Sequence, residues 1–393
     1  MHHTLIFLTG LQDCKNRYDK KGGNKLKILV TGAGGFLGKN FACAAGEQGH
    51  KLLAYHHAMG DDALATLCRD CDAVVHLAGV NRPQDAQEFV EGNEQFSKRL
   101  ISALQKRTKP CPVVFSSSTQ AALENPYGNS KRAAETILRG YAKETGADVF
   151  IFRLPNVFGK WCRPEYNSVV ATFCHHVAHG LPIRVDDAAH ELSLVYVDDV
   201  VQAFLDALQG KVVRQDGFCR VQPVRACTVG RLAELVQSFR ACRETLAIPV
   251  LGDAFTRQLY STYLSYLPEA GMSYPLTMHA DARGSFTEFL RTDGQGQVSV
   301  NVSRPHIVKG GHYHHTKHEK FLVVEGAGVI RLRRVGSEDI LRYEVSGDKL
   351  EVVEIPPGYT HDIENTGDTD MVTLMWADEC FDPAHPDTYR MEV

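Results

Sequence analysis

Between residues 26 and 153, short runs of apolar and β-branched residues alternate with longer stretches of helical periodicity. The runs that predict buried strands are residues 26–31, 52–54, 72–79, 111–116 and 149–153. The stretches that predict helices follow the glycines near residue 35 and cover about residues 93–106 and 126–145. Strands and helices that alternate in this way predict an α/β domain built on a doubly wound parallel sheet.

The pattern changes after about residue 246. Residues 255–273 are rich in aromatic side chains and predict a helix or a linker. From residue 281 onward, strand-like runs follow one another without helical stretches between them, which predicts an all-β jelly-roll barrel. We therefore expect an N-terminal extension at residues 1–25, an α/β domain at 26–247, a linker at 248–273 and an all-β domain at 274–393.

Composition narrows the class of protein. The chain has 393 residues, more than one ordinary core holds, and its formal net charge of -4 gives no basic surplus for nucleic-acid binding. No apolar run approaches the ~20 residues of a membrane span, and residues 1–25 do not resemble a secretory signal. We expect that segment to be a disordered extension or the result of an early start codon. The eleven cysteines are scattered, so we expect reduced thiols in a cytoplasmic protein.

A glycine-rich loop follows the first predicted strand and opens a helix. Gly32, Gly35 and Gly38 form a GxxGxxG pattern that includes Phe36 and Leu37. Such glycines permit a tight turn and a close approach of the backbone to a pyrophosphate, which the helix N-terminus attracts. We therefore expect nucleotide binding; the alternative is an ordinary strand-to-helix turn, which would not need three glycines.

A tyrosine and a lysine stand four residues apart on the predicted helix at 126–145. Tyr127 and Lys131 would share one face of that helix, where the lysine cation lowers the phenol pKa and binds the cofactor ribose. The tyrosine can then give a proton to a carbonyl oxygen as hydride reaches the carbon. Ser118 ends a strand just upstream, and Leu77 and Ala78 end another at the expected cofactor edge. The alternative is an exposed Tyr–Lys pair without a catalytic role.

These motifs resemble those of the extended short-chain dehydrogenase/reductase family across the whole predicted α/β domain. The resemblance implies a Rossmann-type fold with Tyr127 as acid/base, Lys131 as its activator and Ser118 as hydrogen-bond donor to the substrate carbonyl. Ser117 is the fallback for that last role. The resemblance also implies that Asn156 contacts a nucleotide-sugar.

The residues after the second predicted strand bear on the choice of nicotinamide cofactor. Sites for NAD usually place an acid there to bind the ribose 2′-hydroxyl. Here the strand ends in Tyr55, His56 and His57, no acid follows until Asp61, and Lys39 comes directly after the glycine loop. We therefore expect NADPH rather than NAD.

Histidines crowd into a short stretch of the predicted barrel. His312 and His314 are two residues apart, so on a strand they face the same side. Glu319 and His361 could converge on them from neighbouring strands. Imidazoles with one carboxylate suit zinc, iron, nickel or manganese, of which Zn²⁺ is our first choice. The alternative is a solvated, histidine-rich loop.

The spacing of these residues resembles the two motifs of the cupin family, over about residues 281–393. Residues 281–289 are also similar to the opening of deoxysugar 3-epimerase and 3,5-epimerase cupins, which implies that Arg283 meets a nucleotide phosphate. The candidate acid/base groups are His314, Lys320 and Tyr359, of which we select Lys320 as the catalytic candidate.

The combination of both domains resembles the bifunctional capsular-polysaccharide enzymes of the CapF type. It implies C3 epimerisation in the cupin and NADPH-dependent C4-keto reduction in the α/β domain, acting on a UDP-2-acetamido-2,6-dideoxy-4-ketohexose, in a homodimer. The product would be UDP-2-acetamido-2,6-dideoxy-L-talose, on the route to UDP-N-acetyl-L-fucosamine. Two alternatives stay open. One is an NAD-dependent 4,6-dehydratase or 4-epimerase, which would commonly carry an acidic pair where Thr119 and Gln120 follow Ser118. The other is a non-catalytic nucleotide-sugar sensor.

Overall fold

The computed structural model describes residues 25–292, 294 and 296–393. The predicted N-terminal extension therefore lies outside the described residues except for Lys25. Among the residues described, no helix has the length and apolar character needed to cross a bilayer.

The first part of the chain alternates strands and helices. Its strands are β1 (Lys27–Thr31), β2 (Lys51–Tyr55), β3 (Ala73–His76), β4 (Val113–Ser118), β5 (Val149–Leu154), β6 (Asn156–Phe158), β7 (Glu191–Tyr196), β8 (Arg214–Gln215), β9 (Phe218–Cys219) and β10 (Arg225–Thr228). Its helices are α1 (Phe36–Glu47), α2 (Gly60–Asp70), α3 (Gln87–Phe89), α4 (Phe96–Gln105), α5 (Pro126–Thr145), α6 (Val169–Ala178), α7 (Val197–Leu208), α8 (Val229–Glu244) and α9 (Ala254–Leu264). A π-helical turn, Val90–Gln95, joins α3 to α4. The alternation predicted from the sequence is confirmed.

The central sheet runs in the order β2-β1-β3-β4-β5-β9-β8, and β1 to β5 are parallel. Chain order reverses at β1, which pairs with β2 on one side and β3 on the other. Open α/β sheets bind ligands outside the carboxyl ends of the strands at such a reversal. A smaller sheet, β10-β7-β6, follows.

The central strands are buried on both faces. Ile28 and Val30 of β1 belong to one apolar cluster and Leu29 to another, and none of the three is more than 1% exposed. Burial on both faces explains why these strands are continuous apolar runs in the sequence rather than alternating ones.

Helix α5 has clear start and stop signals. Asn125 caps it by accepting a hydrogen bond from Gly128 N at 2.8 Å, and Pro126 occupies the first turn. Gly146 ends the helix in the left-handed conformation. The helix predicted at residues 126–145 is therefore confirmed at both ends.

The second part of the chain is built from antiparallel strands. They are β11 (Ala247–Ile248), β12 (Met278–Asp281), β13 (Gly284–Thr292), β14 (Gly296–Ser303), β15 (Val308–Tyr313), β16 (Glu319–Glu325), β17 (Ala327–Arg334), β18 (Ile340–Ser346), β19 (Val352–Ile355), β20 (Tyr359–Asn365), β21 (Met371–Ala377) and β22 (Tyr389–Arg390). They form two sheets, β11-β13-β14-β21-β16-β19 and β18-β17-β20-β15-β22. Strand β12 also pairs with β13, and β11 is the one strand of the first sheet that runs parallel to its partner, β13, among the described residues. A core that includes Phe321, Ile330 and Ile363 brings together strands of both sheets. The predicted all-β jelly roll is confirmed.

The chain divides into two compact units. Among the described residues, one unit contains those from Lys25 to Val236 together with Arg257–Leu267, and the other contains those of Gln237–Thr256 and Pro268–Val393. The predicted linker at 248–273 holds α9, and its residues are shared between the two units. The boundaries at 247 and 273 stay predictions as limits of evolutionary domains.

Candidate active sites and metal centre

The glycine loop lies at the reversal point of the central sheet. Gly32 has a φ of 75°, and a Cβ added there would stand 2.7 Å from the backbone nitrogen of Ala78. A Cβ on Gly38 would stand 2.2 Å from the carbonyl oxygen of Gly32. Both positions therefore exclude larger residues. Helix α1 begins directly after Gly35, so its free N–H groups face the region where a pyrophosphate would bind.

The ends of β1 and β3 are joined by hydrogen bonds. Leu77 N donates to Thr31 O at 3.1 Å, and Ala78 N donates to Thr31 Oγ1 at 3.3 Å. The predicted cofactor residues Phe36 and Leu37 stand in the first turn of α1, half-buried against the core below this edge. The sequence-predicted loop and strand end thus lie together.

Lys131 is buried at the carboxyl end of the sheet. Its side chain is 5% exposed, and Nζ donates to Ser116 O at 3.1 Å. Nζ also lies 5.1 Å from the centre of the Phe115 ring and 6.0 Å from that of Tyr127. Burial lowers the pKa of Lys131 to about 8, although the Glu135 carboxylate acts to raise it.

Tyr127 lies beside Ser118, as expected for a shared carbonyl site. Burial raises the pKa of Tyr127, and a hydrogen bond with Ser118 acts in the opposite direction. Burial of the phenol outweighs the hydrogen bond with Ser118, and the lowering of this pKa by Lys131 stays a prediction. A neutral Tyr127 is the form that can donate a proton.

Ser117, the fallback donor, points away from this pair. It is 4% exposed, and its hydroxyl donates to Glu135 Oε1 at 2.5 Å. Glu135 is buried too and also binds Arg153 through both carboxylate oxygens, at 2.9 and 2.7 Å. The geometry therefore favours Ser118 over Ser117. Sequence reasoning missed Glu135, although its position four residues after Lys131 on the same helix face could have indicated it.

Asn93 is a second residue that sequence reasoning missed. It stands in the π-helical turn, where Oδ1 accepts from Val80 N and Nδ2 donates to Val80 O and Ser130 Oγ, each at 2.9 Å. A Cβ on Gly79 would lie 2.7 Å from Asn93 Oδ1 and 3.0 Å from Lys131 Nζ. Asn93 thus fixes the loop after β3 against α5, and π-turns of this kind often occur at functional sites.

The remaining predicted residues of the α/β domain are more exposed. Asn156 lies on β6, and its Nδ2 donates to Ser193 O at 3.4 Å. After β2, His56 and His57 lie side by side with ring centres 4.5 Å apart. Asp61, the first acid after this strand, lies 3.4 Å from Arg99 in an ion pair.

Four side chains of the all-β domain converge as predicted. Potential ligand atoms of His312, His314, Glu319 and His361 all lie within 4.8 Å of one another. His312 and His361 are cross-strand partners on β15 and β20, whereas Glu319 opens β16. His314 is 3% exposed and His361 1% exposed, so the cluster is not a solvated loop.

The electrostatics of this cluster favour a bound cation. Burial lowers the pKa of His312 to about 4, with contributions from His361 and His314. Burial acts to raise the pKa of Glu319, but the His314 and His361 imidazoles outweigh it and hold that pKa below its usual range. His312 and Glu319 therefore present a neutral and an anionic donor, the protonation states that metals require. At His314, burial acts to lower the pKa, but hydrogen bonds with Glu319 and with Asp387 O outweigh it and raise that pKa.

A cavity of about 520 Å³ opens onto this cluster. Its lining includes His312, Glu319 and His361 together with Arg283 and Lys309. Arg283 is exposed in the β12–β13 turn, where Asp281 accepts from it at 2.7 Å. Lys309 Nζ donates to Asn301 Oδ1 and to Val302 O, each at 2.8 Å. Sequence reasoning missed Lys309 and Asn301.

Lys320 does not face this cavity, so its selection as a catalytic group is wrong. Glu319 and Phe321 of β16 line the cavity, and the residue between them points to the opposite face of the strand. There Lys320 forms an ion pair with Glu354 and lies 5.9 Å from the centre of the Trp376 ring. Tyr359 lies on the same face of β20 as His361 but packs against the apolar core.

Comparisons with known proteins cover both parts of the chain. Residues 28–217 match the NAD dependent epimerase/dehydratase family, and residues 279–389 match the polysaccharide biosynthesis C-terminal domain. The chain is 44% identical to the UDP-2-acetamido-2,6-beta-L-arabino-hexul-4-ose reductase of Pseudomonas aeruginosa, over 94% of this chain and 99% of that protein. It also matches the crystal structure of the capsular polysaccharide assembling protein CapF from Staphylococcus aureus, with a TM-score of 0.88 and 49% identity, over 93% of this chain and 100% of CapF.

The fold and the Tyr–Lys site define a nucleotide-sugar enzyme of the NAD dependent epimerase/dehydratase class, fused to a cupin-like C-terminal domain. Within that class, the chain belongs to the family of CapF and of the Pseudomonas aeruginosa reductase. The resemblance, the fold class and the enzymatic nature inferred from the sequence are thereby confirmed, as is a nicotinamide cofactor in its general form, NAD or NADP.

Proposed function

We propose that this enzyme epimerises C3 and reduces the C4 ketone of a UDP-2-acetamido-2,6-dideoxy-4-ketohexose. The product is UDP-2-acetamido-2,6-dideoxy-L-talose, on the route to UDP-N-acetyl-L-fucosamine for capsule or O-antigen. The reductase part of the proposal rests on the contact between Tyr127 and Ser118. This contact lies beside the buried Lys131, at the reversal point of the sheet. The name of the Pseudomonas aeruginosa relative, a hexul-4-ose reductase, supports the substrate class.

In the reduction, Ser118 and Tyr127 both donate to the C4 oxygen of the substrate. Tyr127 transfers its proton to that oxygen as carbon C4 becomes an alcohol, and Lys131 stabilises the phenolate that is left. A bound nicotinamide supplies the hydride. Gly32, Gly35 and Lys131 would hold the cofactor. A Cβ at Gly32 would collide with the backbone of Ala78, so the tight turn that leads a pyrophosphate to the N-terminus of α1 depends on glycine, which fits such a group.

We propose NADPH as the reductant. The chain that follows β2 carries two adjacent histidines, and the first acid after it, Asp61, is already paired with Arg99. An NAD site would place a free acid here for the ribose 2′-hydroxyl, whereas a 2′-phosphate needs basic neighbours. His56, His57 and Lys39 can provide them.

We propose Zn²⁺ as the ion of the cupin cluster. Tetrahedral zinc with bonds of about 2.0–2.1 Å separates its ligand atoms by about 3.3 Å. Glu319 Oε2 lies 3.5 Å from His314 Nε2 and 3.3 Å from His361 Nε2, too far for good hydrogen bonds and close to that separation. His314 Nε2 and Glu319 Oε2 are buried without another partner. The four residues therefore fit the ion, which would act as a Lewis acid toward a substrate oxygen.

In the epimerisation, the cavity wall provides cations for an anionic substrate. The 4-keto group makes the C3 proton acidic: a base takes this proton, and a proton returned to the opposite face of the enolate inverts C3. Between these two steps the enolate oxygen needs a positive neighbour. Lys309 lines the cavity and is fixed by Asn301, which suits that role. Arg283 lines the cavity and suits the UDP diphosphate, as the resemblance to deoxysugar epimerases implies.

Simple reduction is favoured over a dehydratase or 4-epimerase reaction. Those reactions commonly use an acidic pair after the strand serine. Here Thr119 and Gln120 stand in a short 3₁₀ turn, and the Gln120 amide oxygen accepts from Asn125 Nδ2 at 3.0 Å. Neither side chain can serve as a carboxylic acid.

We also propose a homodimer in the cytoplasm, where nucleotide-sugars and NADPH are available. Val300, Leu374, Leu322 and Val352 form one cross-strand row on the outer face of the first cupin sheet. Leu374 is 37% exposed and Val352 52% exposed, and an apolar row of this kind supports an interface between copies. Light scattering would report the dimer mass, and a monomer mass would refute this proposal.

Incubation with the ketohexose substrate in D₂O, with and without NADPH, tests both activities. NMR follows deuterium at C3, and absorbance follows NADPH. We expect C3 exchange without NADPH and oxidation of NADPH when it is added. Oxidation without exchange would refute the epimerase half, and the absence of both signals would refute the proposed substrate.

A further inference from the structure

The C-terminal segment contacts the loop that carries His314. The Asp387 carboxylate accepts hydrogen bonds from three consecutive backbone N–H groups, those of His315, Thr316 and Lys317, each at 3.0 Å. It also accepts from the Thr316 hydroxyl at 3.1 Å. Successive N–H groups that converge on one anion form a concave site in which charge-assisted bonds are strong. Asp387 therefore fixes the loop between β15 and β16.

The backbone of Asp387 contacts a metal-binding side chain directly. Its carbonyl oxygen lies 2.5 Å from His314 Nδ1. Because a carbonyl can only accept, Nδ1 must carry the proton, and the neutral ring then presents the lone pair of Nε2. That Nε2 atom is buried without a hydrogen-bond partner and faces Glu319 Oε2 at 3.5 Å.

The residues around Asp387 lie beside β15, the strand that precedes this loop. Strand β22 pairs with β15 at His312 and Tyr313, and Met391 N donates to Gly311 O at 3.0 Å. The Tyr389 ring stacks on Tyr313 with centres 5.4 Å apart. The segment that holds Asp387 is thus bound to the same strand that supplies His312.

We propose that Asp387 is a positioning residue of the cupin metal centre. Its carboxylate fixes the loop at residues 315–317, and its carbonyl selects the His314 tautomer and ring orientation that direct Nε2 at the ion. The inference rests on the proposed metal site and deepens it, because a residue that binds no metal controls the affinity of the site. Groups that orient a metal-bound imidazole typically contribute 10–100-fold to metal affinity.

Asp387→Asn tests the proposal. The amide keeps the size of the side chain but loses the charge and turns an N–H₂ group toward N–H donors. We expect the zinc dissociation constant, measured by chelator competition on the full chain, to rise 10–100-fold. Asp382→Asn is the matched control, because Asp382 is an exposed acid of the same segment that binds Ala384 N and His385 instead. An unchanged zinc affinity in Asp387→Asn would overturn the proposal.

A milder variant and a readout without metal keep the test decisive. Thr316→Val removes only the hydroxyl bond to Asp387, so a smaller loss of zinc affinity is expected even if Asp387→Asn folds poorly. Amide hydrogen exchange at residues 315–317 should be faster in Asp387→Asn than in wild type or Asp382→Asn. If wild type binds no zinc, the proposed metal fails, and the exchange rates still decide whether Asp387 fixes the loop. Faster exchange with unchanged zinc affinity would refute the link to the metal.

Discussion

Lys309 combines a cationic group with a defined place in the cupin cavity. Two oxygens, Asn301 Oδ1 and Val302 O, fix its ammonium group at 2.8 Å each. Burial lowers its pKa, although Asp281 acts to raise it. An ammonium group that is already oriented needs little reorganisation when negative charge develops on a substrate oxygen, which is the condition for strong electrostatic catalysis.

Lys309→Met should slow C3 exchange by about 10²–10³-fold, the effect of removing one group that stabilises an oxyanion. Methionine retains most of the apolar stem, so the cavity wall is preserved. NMR in D₂O without NADPH measures the exchange. Lys320→Met is the control, because that lysine lies on the opposite face of the sheet and pairs with Glu354. Equal losses in both variants would contradict the role of Lys309.

Helix α5 is the element that organises the reductase site. It carries Tyr127, Lys131 and Glu135 at intervals of four residues, so all three lie on its buried face. Glu135 connects that face to the sheet through Ser117 on β4 and Arg153 on β5. The helix and the carboxyl ends of the strands are therefore held in one arrangement.

Glu135→Gln should move the alkaline limb of the reductase pH profile to lower pH. Lys131 loses its charge as pH rises through its pKa of about 8, and the Glu135 carboxylate raises that pKa. Removing the negative charge lowers the pKa, so activity should be lost at a lower pH than in wild type. Profiles of kcat/KM against pH for NADPH oxidation measure the limb.

Glu144→Gln is the control for this prediction, because Glu144 is exposed on the same helix and binds Gln105. The Glu135 variant should also lose about 1–3 kcal/mol of stability, since Arg153 and Ser117 lose a charged acceptor. An alkaline limb that stays in place in Glu135→Gln would show that the carboxylate does not control Lys131.

Elements with strong periodicity, or with clear start and stop signals in neighbouring residues, could be predicted from the sequence. Contacts between residues far apart in the chain could not. Helix α5 has a cap, an initial proline and a terminal glycine, so residues at its two ends indicate where it begins and ends. The cavity position of Lys309 depends on a register shift between Gly310 and His312 on β15. Without that shift, residues 309 and 312 would face opposite sides of the strand.

Two further differences at the element scale concern Lys320 and Asp387. Strand alternation from Glu319 alone predicts that Lys320 faces away from the cavity, as the structure shows. Asp387 lies 73 residues after His314, and neither spacing nor periodicity connects two residues at such a distance. Only the folded chain brings them together.

At the scale of the whole molecule, the proposed sites of the two reactions use separate sets of side chains. The reductase residues belong to the compact unit that includes Val236 and all earlier described residues, and the metal-binding residues belong to the unit that includes Pro268–Val393. Tyr127→Phe should therefore reduce NADPH oxidation by about 10²–10⁴-fold, the usual contribution of a general acid, and leave C3 exchange intact.

His361→Ala should lower the zinc content and abolish exchange, whereas His385→Ala, which alters an exposed histidine, should do neither.

A mixture of Tyr127→Phe and His361→Ala should restore the conversion that each variant alone lacks. The first variant supplies the C3-epimerised ketone, and the second reduces it, provided that the intermediate leaves one site and reaches the other through solution. Product formation by NMR in the mixture, compared with each variant at twice the concentration, measures this complementation. If the mixture is no more active than the two variants alone, the intermediate is not released into solution, because the mixture still contains a working epimerase site and a working reductase site. Loss of C3 exchange in Tyr127→Phe alone would show instead that the two sites are not independent.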